Sequence, residues 1–344
     1  MMPSSSNSSS VGAEEGKQCI LNDQMGPFTV LYILIFIISL PGILLSVWTF
    51  ICSPRAKQST SVYLVNLLVA DLLLLLALPF KILKDLGAAP WSLMVFHCQA
   101  SGVTIYISLY ASIAFLALII TDRYLQDCQT LRSLRLQEVG FARLLSVVVW
   151  LLLLLIMVPN MALPIQQVQE RRYLSCSSLK NDIGLHWHTL TVFLCTALFL
   201  NASVIVLLSS GLALKRLLHS RKDPKLWVDA RQAAVSLAAM VLAYILCFVP
   251  YHVVRTPYTL AQTEVITDCH TKRQLFLGKE STLLLSVLHL CFDPLLLYHL
   301  HTQFRQTVHK MFPCSREQTI SDTEEQAAKE MMEPATSAQQ EDAV

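Results

Sequence analysis

Charge is what this chain has least of. Of its 344 residues only 15% are Asp, Glu, Lys or Arg, while 54% are hydrophobic. A soluble domain carries about a quarter charged residues, so an ordinary soluble fold is excluded. None of the ten cysteines forms a Cys-x-x-Cys pair, which removes the commonest zinc motifs. There is no internal repeat of the kind that marks many secondary transporters. No nucleophile, base and orienting group can be placed together, so an enzyme is not expected. A net charge of +2 gives no argument for nucleic acid, and none is expected as a partner.

What the chain does have is apolar residues in blocks of about twenty, each long enough to cross a membrane as a helix. The blocks read as Phe28–Cys52, Ser61–Lys84, Gln99–Ile120, Arg143–Pro164, Trp187–Leu212, Ala233–Thr256 and Leu277–His299. The expected fold is an all-α membrane protein, a seven-transmembrane helix bundle occupying residues 28–300. Odd-numbered connections carry the basic residues: Arg55 and Lys57, then Arg132, Arg135 and Arg143, then Lys215, Arg216, Arg221, Lys222, Lys225 and Arg231. Basic loops stay on the cytoplasmic side, which puts the N-terminus outside and the C-terminus inside the plasma membrane. No cleavable signal peptide is visible, so the first span is expected to serve as its own signal. Residues 1–27 form a polar outer tail in which Asn7-Ser8-Ser9 fits a glycosylation acceptor. Residues 313–344 are polar and acidic, the composition of a disordered cytoplasmic tail.

Several polar residues interrupt the apolar blocks, and each is costly there, by about 2.5–3.5 kcal/mol for a charge at a helix centre. The sixth block ends Cys247-Phe248-Val249-Pro250-Tyr251-His252-Val253-Val254-Arg255. His252 and Arg255 are three apart and share a helix face. A kinked helix presenting positive charge to a cavity predicts an anionic ligand. Asp71 lies mid-span in the second block, where a carboxylate must be paired, protonated or bound to a cation. Ser112 and Asp293, also mid-span, complete an oxygen-lined set that would suit a sodium ion. A purely structural polar network is the alternative. At the inner end of the third block, Asp122-Arg123-Tyr124 sets an arginine beside a carboxylate with which it can pair in one state and part in another.

Taken with Cys98, Trp150, Pro159, Phe248, Pro250, Asp293 and Pro294, these residues resemble a rhodopsin-like G-protein-coupled receptor over nearly all of Phe28 to Phe312. The resemblance implies a disulfide from Cys98 to Cys176. It also implies an amphipathic helix on the inner membrane surface near residues 301–312, with Phe304 facing lipid and Cys314 a lipidation candidate. Leu78-Pro79-Phe80-Lys81, Pro250-Tyr251-His252, Arg255, Pro257-Tyr258-Thr259-Leu260 and Lys279-Glu280-Ser281 are similar to the purinergic nucleotide receptors. More particularly they resemble the branch responding to ADP or nucleotide sugars. Asn201 and Cys19, a candidate partner for Cys269, point the same way. Ala88-Ala89-Pro90-Trp91, Met157–Met161 and Thr263–Cys269 resemble an orphan member of that branch.

Carried over residue by residue, the resemblance implies a ligand pocket of Lys81, Tyr106, Lys180, His188, His252, Arg255, Gln262 and Lys279, to which Tyr251 adds an aromatic face. Cationic heads suit phosphate or carboxylate, and tyrosines suit a base or an aromatic side chain. The competing expectation is that Arg255 and Lys279 merely pair with Glu280, Glu264 or Asp268. The ligand implied is a nucleotide or nucleotide sugar, with an acidic peptide or a lysolipid as alternatives. The implied partner is a heterotrimeric G protein of the inhibitory class, and Ser321–Glu325 offers a phosphorylation segment for arrestin. A transporter or channel would need a continuous polar path, which is missing.

Four positions depart from the family pattern. Ile43 replaces a polar asparagine in the first span, Ser209 a tyrosine in the fifth, and His289 an asparagine in the seventh. Tyr298 falls one residue late. One residue is about 100° around a helix, so Tyr298 is expected to point away from the family's switch position.

Overall fold

The computed structural model describes residues 25–52, 58–127, 138–163, 176–219, 224–262, 266 and 268–311. Seven helices are long and apolar enough to cross a membrane. They are α1 (Gly26–Cys52), α2 (Ser59–Asp85), α3 (Trp91–Gln126), α4 (Val139–Ala162), α5 (Asp182–His219), α6 (Pro224–Gln262) and α7 (Cys269–Leu300). A short α8 follows at Thr302–Met311. Asn7, Cys19, Cys314 and the acidic tail lie outside the described residues, as does the side chain of Gln262.

Every span expected from hydropathy is present, but several helices overrun their apolar blocks. Helix α3 starts at Trp91 rather than Gln99, and α7 at Cys269 rather than Leu277. Hydropathy marks only the part that lipid surrounds, whereas backbone hydrogen bonding continues into polar turns beyond it. At α7 the extension is capped by Asp268, whose carboxylate accepts from the Thr271 amide at 2.8 Å.

Helix α3 runs through the centre of the bundle, and its Ala111, Phe115, Ile119 and Ile120 are fully enclosed. The lipid-facing sides of α4 and α5 instead expose Leu151, Leu155, Leu207 and Leu208. Polar ties fix the packing. Trp150 Nε1 donates to Asn66 Oδ1 at 2.9 Å, joining α4 to α2, and Ser286 Oγ donates to the Cys247 carbonyl at 2.7 Å, joining α7 to α6. That second tie lies one residue beyond the Leu246 carbonyl, which Pro250 leaves without its helical donor. Gly42 permits α1 to touch α7: a Cβ there would lie 2.9 Å from Pro294 Cγ. Its neighbour Ile43 is sealed in an apolar cluster with Tyr32, Leu74 and Leu290, so α1 adds no polar group at that position.

One expectation fails here. Phe304 does not face lipid; it is 3% exposed and packs into the central core. An amphipathic pattern gives a helix one apolar face but cannot say whether lipid or the bundle receives it. In α8 the bundle does.

Candidate functional site

A cavity of about 150 Å³ opens among α2, α3, α4, α5, α6 and α7, at the end that carries Cys98 and Arg255. Cys98 lies in a π-helical turn of α3, His97–Ser101, and is bonded to Cys176 with a Cα–Cα separation of 5.3 Å. The disulfide ties Cys176, shortly before α5, to α3 at the cavity wall. Cys269 is also disulfide-bonded, while its expected partner Cys19 lies outside the described residues.

Of the expected pocket residues, Lys81, Tyr106, Lys180, His188, Tyr251, Arg255 and Lys279 all line this cavity. They arrive from six segments of the chain. Arg255 is buried, and its guanidinium lies 5.2 Å from the centre of the Tyr106 ring and 5.8 Å from that of Tyr258. Its Nη2 stands 3.2 Å from His188 Nε2. No carboxylate pairs with it among the described residues.

The lysines behave differently. Lys81 donates to Asp85 at 2.9 Å and to Glu280 at 3.0 Å, Lys84 reaches Asp85 at 3.1 Å, and Lys279 bonds Glu280 directly. For Lys279 the simple pairing expectation therefore holds; for Arg255 no such pair forms among the described residues, and Glu264 lies outside them. Lys180, outside the spans, donates to Asn160 Oδ1 at 3.3 Å. Burial, and then the neighbouring Arg255 guanidinium, push its ammonium down to about 8. Among the described residues the five cations Lys81, Lys84, Lys180, Arg255 and Lys279 face two carboxylates, Asp85 and Glu280, which leaves three positive charges in surplus.

His252 is placed elsewhere. It lies one turn below Arg255, outside the cavity lining, stacked on Phe199 with ring centres 3.7 Å apart. Its Nδ1 meets the Phe248 carbonyl at 2.8 Å and its Nε2 the Tyr110 hydroxyl at 3.2 Å. Both nitrogens are occupied, which makes it a packed core histidine. Sequence reasoning missed Tyr258, whose ring carries both Arg255 and Lys279, the latter at 5.3 Å. Its position three residues after Arg255 was the available signal.

At the opposite end, Asp122 accepts from Ser59 at 2.7 Å, Thr60 at 2.5 Å and Gln126 at 2.8 Å, which joins α3 to α2. Arg123 donates to Gln126 Oε1 at 3.3 Å, and Tyr124 is the half-buried neighbour. Phe248 is enclosed beside Pro250, edge-on to Tyr244 at 5.5 Å. Ser209 meets the Thr121 hydroxyl at 3.2 Å, replacing with a short contact whatever a tyrosine would reach. Tyr298 points out to α8, its hydroxyl 3.1 Å from His309 Nε2, while Leu297 takes the inward position. Midway along the bundle, Asp71, His289 and Asp293 converge, and Ser112 is buried on α3.

A seven-helix bundle with a cationic cavity at one end, an arginine–carboxylate motif at the other and a proline-kinked helix between them is the architecture of a membrane signalling receptor. Residues 42–298 match the family model of the 7 transmembrane receptor (rhodopsin family), and the chain belongs to that family. It is 47% identical over 299 residues to human G-protein coupled receptor 171, covering 87% of this chain and 93% of that protein. It is 37% identical over 312 residues to bovine purinoceptor 14, covering 88% and 91%, and 36% identical over 311 residues to rat purinoceptor 13, covering 90% and 91%. The chain is thus a G-protein-coupled receptor of the purinergic-like branch, not an enzyme.

Proposed function

We propose that this receptor binds an extracellular anionic ligand at Arg255 and in response activates a heterotrimeric G protein of the inhibitory class. The observation that carries the reading is the state of Arg255: a buried guanidinium in a cavity, held by aromatic faces and a histidine, with no carboxylate to neutralise it among the described residues. A buried charge left in that state is expensive unless something brings it a counter-charge. Guanidinium offers phosphate or carboxylate a two-pronged donor fork. Lys180 supplies a second cation beside it, while Tyr106, Tyr251 and Tyr258 give flat faces for a base or an aromatic side chain.

The basic residues of the odd-numbered connections support an outward-facing cavity and an inward-facing Arg123. Ligand charge drawn to Arg255 acts on α6 above the Pro250 kink, and anions that compete for Lys81 or Lys279 loosen the Glu280 links between α2 and α7. Both effects bias how α6 and α7 pack, the kind of rearrangement that opens an intracellular face. The Asp122–Arg123–Tyr124 end and the basic segments near α5 and α6 would meet the G protein, and a phosphorylated tail would meet arrestin.

Two ligand chemistries fit. Relatives named purinoceptors favour a nucleotide or nucleotide sugar. The cavity volume, about that of one ring-sized guest, favours an acidic peptide side chain or terminus entering from the mouth. A G-protein activation screen of nucleotides, nucleotide sugars, acidic peptides and lysolipids on wild type and Arg255→Ala separates them. An uncharged best agonist that ignores Arg255→Ala would overturn the reading.

A further inference from the structure

Helix α5 turns two regular faces in opposite directions. Cys195, Phe199, Ala202 and Val206 are buried in the bundle. On the far side Leu194, Ala197, Asn201, Val204, Leu208 and Gly211 are all exposed. Steps along this outer row alternate between three and four residues, the period of a helix seam that packs on another helix. The next position, Lys215, lies past the apolar block and ends the row. Outward leucines and valines need no explanation, because lipid covers them as well as protein would.

Asn201 is different. It stands midway along α5 and within that row, with its side chain exposed. One amide hydrogen goes to the Ala197 carbonyl four residues back, Nδ2 to oxygen 2.8 Å. Among the described residues its Oδ1 accepts from nothing and its second N–H donates to nothing. Hydrocarbon offers neither donor nor acceptor, so an amide facing it finds its partner on another helix. A single asparagine in an otherwise apolar seam is also the device that fixes register and partner number in coiled coils. Its neighbours in the row permit a close approach. Ala197 is small, and a Cβ at Gly211 would have nothing within 4 Å.

We propose that this receptor pairs with a second copy of itself through the outer face of α5, with the two Asn201 amides joined across the interface. A primary amide is donor and acceptor at once, so it is complementary to itself. Copies inserted in one membrane share one orientation, which places every Asn201 at one depth. A twofold axis along the membrane normal then sets Asn201 against Asn201, each Oδ1 accepting from the other's free N–H. The cavity stays open in such a pair, because His188, Val192 and Cys195 line it from the opposite face of α5. The inference stands independently of the ligand reading.

The test reconstitutes the full-length receptor in phosphatidylcholine vesicles, some copies carrying a donor fluorophore and others an acceptor, and reads energy transfer as lipid is added. Wild type is expected to show transfer that saturates with receptor density and is competed away by unlabelled receptor. Asn201→Leu should need roughly tenfold more receptor per lipid to reach the same transfer. Asn201→Gln keeps the amide and should stay near wild type. An Asn201→Leu curve that overlays wild type overturns the proposal, as does wild-type transfer no greater than random proximity gives. Oxidative cross-linking locates the face without changing Asn201. Val204→Cys and Leu208→Cys should yield covalent dimers above the wild-type background. Ile38→Cys, exposed on α1, which packs on α2 and α7 instead, should not. Cross-linking at Ile38→Cys equal to or above that of the α5 variants would place the interface elsewhere and likewise overturn the proposal.

Discussion

Lys81 Nζ stands 3.0 Å from Glu280 Oε2, so a lysine of α2 and a glutamate of α7 share one buried ion pair at the cavity wall. Glu280 also holds Lys279, and Lys81 also holds Asp85. Removing one member of such a network leaves its partners charged and buried, at a cost of about 3–5 kcal/mol. Glu280→Gln should therefore lower the thermal midpoint of the purified receptor markedly. A double variant that also replaces Lys279 with Met should recover part of the loss. Equal midpoints for wild type and Glu280→Gln would show that the network contributes nothing.

Lys180 gives the site a pH signature. Its ammonium is pushed down to about 8 by burial and by Arg255. An anionic ligand favours the charged form and raises that value, so its contribution to affinity is complete below about pH 8 and is lost as the pH rises past it. Agonist potency is expected to fall in wild type as the pH rises from about 8. Lys180→Arg should stay flat over the same rise, because a guanidinium remains charged. Titrating binding against pH in both forms checks this.

The Tyr298 hydroxyl meets His309 on α8, while its ring is only partly buried against the core. Tyr298→Phe should then leave agonist-stimulated nucleotide exchange within about twofold of wild type, since it removes only a hydrogen bond at an exposed site, typically about 1 kcal/mol. A loss of roughly tenfold or more in exchange rate, about 1.4 kcal/mol, would mean that this tyrosine swings inward during activation.

The outward Tyr298 was legible in the sequence because a helix turns by a fixed angle per residue, so one position of offset moves a side chain to another face. The seven spans were legible for a comparable reason: lipid demands an apolar surface over a known length. The ends of α3 and α7 were not, because polar turns obey hydrogen bonding and caps such as Asp268, not hydropathy. Arg255 announced itself as a charge inside an apolar block. His252 shares its face, but helical spacing carries no information about depth. One turn lower, Phe199 and Tyr110 close around the ring. Phe304 failed for a similar reason: its pattern required an apolar neighbour, and only the folded bundle decides which. The Lys81–Glu280 pair joins residues 199 positions apart, a separation that no local pattern spans.

The central claim is that Arg255 receives the ligand's negative charge. A double-mutant cycle tests it most directly. Affinity is measured for the best anionic agonist and for an analogue lacking its anionic group, each on wild type and on Arg255→Gln. If the two groups touch, removing either should cost about 2–5 kcal/mol, and removing both should cost little more than one alone. Losses that simply add would place the ligand's charge elsewhere and contradict the account.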